Sequence, residues 1–546
     1  MKDEGYILDR GSDAFLQTPD LESHLAAMAV KSLSRSPFRR HVVDMAQGRK
    51  ELKSGMILAV ALTMAERWKE TIPDKRVGVV FPAGLGGMLT NLALTLLGKI
   101  PVNLNFSAGR KSIEQSLEMA GVNKIISAGP VREKVQDFPW PDDLIDLVKE
   151  RQHFDKKAII KRLGLVTLLP AGTLIRKYNV PTQGGDREAG LLFSSGSTGS
   201  PKGIPLTHRN VVGNCLQIKD CYLLNETQTL LACLPTFHSF GFTATMWYPL
   251  IFGVKTVTLP SPLETRKIAE AIEQEKVTIM MGTPTFLRPY FKRVKPEQLA
   301  TLENVVGGAE KTPPGFAERW EKTFDCQYLE GYGLTETSPV VSCNLPPYKE
   351  VPAYKKAGSV GRLFKGMQAR VVDPATGAVQ PVNTQGLLDL KGPNVFNGYL
   401  DNPDATREAF VDGWFRTGDL ARIDSEGYIF IEGRISRFSK LGGEMVPHGR
   451  VEQIIAECFQ LEDAESPLVA VTGVSDETKG EALVLLAAVE IRSSDLRTRL
   501  LEAGIPNLWI PRIILRVDAI PSLASGKLDL KALNALALRK IQEGNQ

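Results

Sequence analysis

Residues 191–203 read LLFSSGSTGSPKG. A short apolar run, Leu191–Phe193, opens into a stretch drawn almost wholly from Ser, Gly, Thr, Pro and Lys. Backbone N–H groups of such a Gly-rich turn can point together at an anion. Ser194, Ser195, Ser197 and Thr198 add hydroxyls around Gly196 and Gly199, and Lys202 adds a compact positive charge suited to phosphate. The spacing excludes a Walker A loop, G-x-x-x-x-G-K-[ST]. The residue five places after Gly196 is Pro201, and five after Gly199 it is Ile204. The dinucleotide fingerprint G-x-G-x-x-G fails here and again at Gly331-Tyr-Gly-Leu-Thr-Glu336. The loop therefore points to phosphate chemistry without saying which kind.

Such a loop needs a strand before it and a scaffold around it. With 546 residues the chain is too long for one ordinary core, and two or more domains are expected. The net charge of +4 is small for this length and argues against a nucleic-acid partner. The cysteines (Cys215, Cys221, Cys233, Cys326, Cys343, Cys458) are scattered without a CxxC pair, which fits reduced thiols in the cytoplasm. The start, MKDEGYILDRGSDAF, is acidic and polar and reads as no signal peptide. Gly55–Ala65 is about half the length that spans a bilayer and reads as a core helix. The basic stretch Lys31–Lys53 reads as a solvated face, or as contact with an anionic lipid or protein.

From about Arg76, β-rich runs alternate with helical stretches. Val77–Phe81, Lys124–Ile126, Thr229–Leu234, Lys255–Leu259, Val277–Met281, Asn304–Val306 and Gln327–Leu329 are strand candidates, with a helix at Leu263–Glu275. That alternation predicts an α/β fold with largely parallel sheets. LLFSSGSTG, IMMGTPT and NVVGGAE each end an apolar run in small residues, and loops at the carboxyl ends of parallel strands converge on ligands. After about residue 358 short alternating runs (Gln368–Val372, Leu387–Lys391, Tyr428–Glu432) predict a β-rich subdomain to 432. From Gly433 a helix at Val451–Cys458 and strands at Leu468–Val471 and Ala482–Ile491 predict a small α+β domain over 433–546, following a large domain over 1–432.

Seven segments then occur in order: SSGSTGSPKG, LPTFHSFG (234–241), GGAEK (307–311), EGYGLTET (330–337), GWFRTGD (413–419), GRISRFSKLGGE (433–444) and SGKLDL (525–530). Together they resemble the adenylate-forming superfamily of acyl-CoA synthetases, luciferases and peptide-synthetase adenylation domains, over roughly residues 50–535. The resemblance implies ATP and Mg²⁺, and a reaction in two halves. A carboxylate displaces pyrophosphate from ATP to give an acyl-adenylate, and a thiol then displaces AMP. It implies that Ser194–Lys202 hold the β- and γ-phosphates, that Glu336 binds Mg²⁺ and that Thr335 meets the α-phosphate. Glu330, Gly331, Tyr332, Gly308 and Ala309 would surround the adenine, and Asp419 would accept the ribose hydroxyls, with Arg434 nearby. Lys527 would reach in from the small domain to bridge carboxylate and α-phosphate.

His238 stands where amino-acid-activating relatives carry the Asp that holds the substrate ammonium, so it implies an acid without one, such as a fatty acid. Ser436 occupies the hinge place where many relatives have Asp or Lys. A hinge needs only a residue that absorbs a φ/ψ change. Lys440 lies where some relatives use a lysine in the second half-reaction. RFSKLGGEMV, EGYGLTETSPVV and VGGAEK look closest to the acyl-acyl carrier protein synthetase part of bifunctional acyltransferase/synthetases. That implies acyl carrier protein as thiol acceptor, with CoA as the alternative, and leaves room for peripheral association with the inner membrane face. Residues 433–546 hold 14 Lys and Arg against 15 Asp and Glu, so any basic docking patch would be local, at Arg434, Arg437 and Lys440 or at Lys31–Lys53. A non-catalytic acyl- or nucleotide-binding protein is the alternative of another class, and Lys202, Glu336, Asp419 and Lys527 together count against it. Direct acyl transfer lacks an H-x₄-D motif.

Overall fold

A computed structural model of the chain describes all residues except 1–4, 196–200, 350–351, 442–443, 462–463, 465, 477–479, 523–527 and 545–546. Gly196, Ser197, Thr198, Gly199 and Lys527 thus lie outside the described residues. Only the backbone is described for Ser195, Ser436 and Lys440.

The fold is mixed α/β, with a large N-terminal part of parallel-type sheets and a smaller C-terminal α+β part. Its helices include α1 (Leu25–Arg35), α2 (Ser54–Thr71), α3 (Lys156–Leu168), α4 (Ala171–Lys177) and α5 (His208–Asp220). The apolar run within α2 is buried along most of its length, down to Trp68 at 0% exposure, and Pro73 follows the helix end. Helix α3 packs on α2, and α4 on α1.

One sheet runs in the order Ile145–Asp146, Ile125–Ser127, Arg76–Val79, Ile100–Asn103, β1 (Glu188–Ser195), β2 (Pro201–Thr207). Neighbours are parallel until the last pair, where β1 and β2 form a hairpin with Ser194 opposite Lys202. The second sheet has nine strands, and its central ones are all parallel. They include β3 (Ile279–Gly282), β4 (Asn304–Gly307) and β5 (Gln327–Gly333). The buried runs of β3 and β4, with every residue buried, are the signature of a parallel strand covered on both faces.

The third sheet is antiparallel and contains β6 (Trp414–Ile423) and β7 (Ile429–Arg434). Here the chain departs from the expected subdomain limits, because Ile7–Asp9 from the N-terminus pairs with Gln368–Val372 at the sheet edge. Three residues, two of them exposed, carry too little pattern to announce a strand, and the neighbouring edge supplies the missing hydrogen bonds. Beyond the third sheet, a ribbon of Phe438–Leu441 and Glu444–Pro447 precedes helix α6 (His448–Cys458) and a sheet of Val469–Asp476, Gly480–Ala487 and Ile513–Arg516. Two apolar clusters in this part are drawn solely from residues after 440. Among the described residues, no helix is long and apolar enough to cross a membrane.

Candidate active site

The carboxyl ends of β3, β4 and β5 carry three of the segments singled out by sequence. Gly308 N–H donates to Gly282 O at 3.1 Å. A Cβ on Gly308 would stand 3.4 Å from Gly331 O and 3.7 Å from Phe240 Cε1. The loops after β3 and β4, the end of β5 and the turn after His238 therefore meet at one point. Ala309 follows at φ +65°, a left-handed conformation that Ala rarely adopts, and is exposed. The expected convergence of three loops holds for the loops after β3 and β4. The β1–β2 hairpin belongs to the other sheet and reaches the site by another route, through Lys202.

That route is a chain of three side chains. Lys202 Nζ lies 4.7 Å from the centre of the Tyr399 ring, and the Tyr399 hydroxyl donates to Glu336 Oε1 at 3.0 Å. Burial and the Glu336 carboxylate push the Tyr399 phenol up, so it stays a proton donor. The same segment grips the Glu336 backbone, since Phe396 N–H donates to Glu336 O at 2.8 Å. Beneath it the turn is held by buried amides. Asn394 Nδ2 donates to Thr337 O at 2.7 Å, and Asn214 Nδ2 to Val340 O at 2.6 Å. Asn210 caps α5 with Thr207 and also donates to Pro393 O and Val395 O at 2.9 and 2.8 Å. Asn394 Nδ2 also reaches Val340 O at 3.1 Å, so its removal would strip hydrogen bonds from two carbonyls of the turn.

Asp419, at the bend of β6, is buried at 4% exposure. It accepts from Tyr332 OH at 2.5 Å and from Arg434 Nε at 3.1 Å. The pair arises because Asp419 and Arg434 face each other in the β6–β7 register. The Asp419 carboxylate raises the Arg434 guanidinium pKa. Burial first, and then Asp419, push the Tyr332 phenol well up. Tyr332 thus presents its hydroxyl to Asp419. On the neighbouring residue pair, Gly307 and Glu330 are in register, and burial lifts the Glu330 carboxyl to about 7. Thr335 is half-buried on the short turn with Glu336.

His238 is half-buried against Phe237, ring centres 4.7 Å apart, at the start of a turn that runs into a π-helical segment, Phe240–Trp247. Such segments are frequent at functional sites. Ser194 is half-buried in β1 beside Lys202.

The link to the C-terminal part is short. Arg434 is tied to Asp419, whereas Arg437 donates to Glu452 Oε2 of α6 at 2.5 Å and to Val471 O at 3.2 Å. Of the local basic patch expected at Arg434, Arg437 and Lys440, the first two are engaged by carboxylates; Arg437 is largely buried, while Arg434 keeps 59% exposure. The arginines of the Lys31–Lys53 stretch also form ion pairs, while Lys31, Lys50 and Lys53 stay exposed, as a solvated face requires. Arg35 and Arg39 pair with Glu226, Arg40 and Arg49 with Glu51, and Arg49 also with Glu275. Acids distant in sequence fold back onto both stretches, which a count along the chain does not reveal.

Tyr399 and Asn394 escaped sequence reasoning. Their segment, KGPNVFNGYL, has the Gly, Pro and Asn of a turn between two runs already read as structural, and nothing in its composition suggests phosphate or metal.

A family model described as "AMP-binding enzyme" matches residues 61–400. The 4-coumarate–CoA ligase-like 9 protein of Arabidopsis thaliana is 32% identical over 88% of this chain and 84% of its own. The long-chain-fatty-acid–CoA ligase of Bacillus subtilis is 27% identical over 83% and 84%. Among solved structures, ATP-bound MatB from Rhodopseudomonas palustris superposes with a TM-score of 0.76 at 23% identity, covering 94% of this chain and 98% of its own. The Bacillus subtilis O-succinylbenzoate CoA synthetase with AMP gives 0.75 at 20% identity, covering 93% and 98%.

Proposed function

The chain belongs to the AMP-binding enzyme family, and from that premise we propose that it activates a fatty acid with ATP and passes the acyl group to a phosphopantetheine thiol. In the first half, a carboxylate oxygen bonds to the α-phosphorus, the bond from that phosphorus to the bridging oxygen breaks, and pyrophosphate leaves. In the second, the thiol sulfur bonds to the acyl carbon, AMP leaves, and the thiol proton is released.

The observation that carries this reading is the Lys202–Tyr399–Glu336 chain beside the meeting point of Gly308 and Gly331. It sets one cation and one carboxylate at the mouth of the β1–β2 hairpin. Lys202 would hold the terminal phosphates with Ser194–Gly199, and Lys527 would supply charge at the α-phosphate. Asp419 would take the ribose hydroxyls, and Tyr332 the adenine. The donor set fits Mg²⁺. Glu336 gives one oxygen to Tyr399, and a carboxylate has about four acceptor directions. Among the described residues no cluster of three acidic, His or Cys side chains is present, so a cation at Glu336 would take its other ligands from phosphates and water, as Mg²⁺ prefers. Bound there, Mg²⁺ would neutralise phosphate charge. His238, beside Phe237, would line the acyl site. We place the domain boundary at residue 433, with Ser436 as hinge and Lys440 serving the second half-reaction.

The thiol carrier has two sources with one chemistry. The wording RFSKLGGEMV favours acyl carrier protein, and the relatives named CoA ligases favour CoA. The experiment is fatty-acid-dependent ATP–pyrophosphate exchange, followed by thioester formation with holo-acyl carrier protein or CoA. Exchange with long-chain acids and thioester with the carrier protein is the expected result. Absence of exchange with any fatty acid overturns the first half of the reading. Comparable kcat/KM with CoA at physiological concentration moves the acceptor to CoA.

A further inference from the structure

We propose that α3, α4 and the turn carrying Phe38 form a face that docks on an anionic lipid bilayer. Between residues 156 and 185 the chain holds six Lys and Arg (Lys156, Lys157, Lys161, Arg162, Arg176, Lys177) and no Asp or Glu.

The helix period explains what it shows. On α3, Lys157, Lys161, Gly164 and Leu168 follow at intervals of four, three and four, one stripe of an α-helix, with Ile160 at its margin. Lys157, Ile160, Lys161 and Leu168 are all exposed, while Val166 turns inward against the core. Ile160 is 68% exposed and Leu168 80%, far above what a solvated helix needs to leave out. Phe38 is a third protruding apolar side chain at 65%. The turn that carries it lies against the same helix. A Cβ on Gly55 would stand 2.8 Å from Pro37 Cβ and 3.1 Å from Leu163 Cδ1, so the Phe38 turn abuts α3 one turn from Ile160.

The acids nearby do not cancel this charge. Glu66 pairs with Arg162 and Glu150 with Arg67. Asp155 caps α3, accepting from Lys157 N–H at 2.8 Å. Lys156, Lys157 and Lys161 on α3 and Arg176 and Lys177 on the adjoining α4 are all exposed, as are Ile160 and Leu168. Protruding side chains ringed by long cations match a soft anionic plane. The apolar tips enter the acyl boundary and the lysines meet headgroups. Each basic side chain near such a surface multiplies affinity on the order of fivefold, and salt screens the effect.

The test uses the full chain and vesicles of phosphatidylcholine alone or with phosphatidylglycerol, read by co-sedimentation. The expected result is partition to phosphatidylglycerol vesicles at least tenfold stronger than to phosphatidylcholine, lost at high salt. Ile160→Glu/Leu168→Glu and Lys157→Glu/Lys161→Glu should each weaken it about tenfold or more while exchange activity without vesicles and the melting temperature stay unchanged. Equal partition to both vesicle types overturns the proposal, as does wild-type binding by both variants. So does a self-associated wild type that the variants convert to monomer, which gives the face to a second copy. Loss of transfer to holo-acyl carrier protein in both variants with vesicle binding intact gives it to an acidic protein instead.

Discussion

The Tyr399 hydroxyl donates to Glu336 Oε1 at 3.0 Å while its ring lies under Lys202 Nζ at 4.7 Å. One side chain thereby satisfies a carboxylate and an ammonium that would otherwise be free to pair with each other. A direct Lys–Glu pair in a half-buried site would have to be broken before phosphate and cation could enter. Tyr399→Phe keeps the ring and loses a hydrogen bond to a charged group, worth about 1.5–3 kcal/mol. Weaker ATP binding by about tenfold, with a raised Mg²⁺ requirement, is expected by calorimetric titration, with a melting temperature lowered by no more than a few degrees. Tyr399→Ala should cost more, and its extra cost should shrink in a Lys202→Ala background, because the spurious pair then cannot form. Full additivity of the two would refute the spacer role.

The proposed hinge is tied at both ends. Arg434 holds to Asp419 and Arg437 to Glu452 and Val471 O, leaving Ile435 and Ser436 between them. Rotation of the C-terminal part must pass through those two residues or break a buried ion pair. Proline at 436 fixes its own φ and restricts Ile435 as well. Ser436→Pro is expected to spare ATP–pyrophosphate exchange within about threefold and to depress thioester formation at least tenfold. Equal loss in both half-reactions would place the hinge elsewhere.

Burial sets the acid limit of the fold. His24 and His41 are pushed down to about 4, His448 to about 3 and His208 to about 2, in each case first by burial. In the unfolded chain the same groups take a proton near 6.5. Below pH 6.5 the unfolded state therefore binds more protons, and stability falls as pH falls toward 4, by up to about 1.4 kcal/mol per pH unit for each histidine. Glu330 acts with the opposite sign. Its carboxyl, lifted to about 7, holds a proton in the fold that the unfolded chain releases above about 4.5, so this group loses stability as pH rises to 7. Four groups against one leave a net decline on the acid side. Urea midpoints should be nearly level from pH 7 to 8 and drop between 6.5 and 4.5; a level midpoint across that lower window would contradict the assignment.

The parallel sheets were legible because covered strands write themselves as unbroken apolar runs; β3 and β4 begin within two residues of their expected starts. Asp419 and Arg434 were found as separate letters. Only the β6–β7 register shows that they face each other, since a hairpin's pairing depends on its bulge and loop. Tyr399 lies 63 residues from Glu336 and 197 from Lys202, and no local pattern spans such distances. The partners of the charged residues were hidden for the same reason. Arg39 meets Glu226 across 187 residues, and Arg437 meets Glu452 from the far end of a ribbon and a helix turn.

Lys202 and Lys527 are predicted to separate by half-reaction and by binding. Lys202 stands on the hairpin next to Tyr399, so its loss should act on the terminal phosphates both before and during reaction. Lys202→Ala should weaken ATP binding about tenfold and lower exchange by a similar factor, a change mostly in KM. Lys527, from the SGKLDL turn, would act where charge develops on the α-phosphorus, so Lys527→Ala should bind ATP within about twofold of wild type. Its exchange rate should fall by a hundredfold or more, a change in kcat. Adenylate supplied ready-made should still be turned over to thioester by Lys527→Ala, because the second half-reaction forms no bond to phosphorus. Unchanged exchange in Lys527→Ala would remove that lysine from the chemistry and leave Lys202 as the cation on which the first half depends.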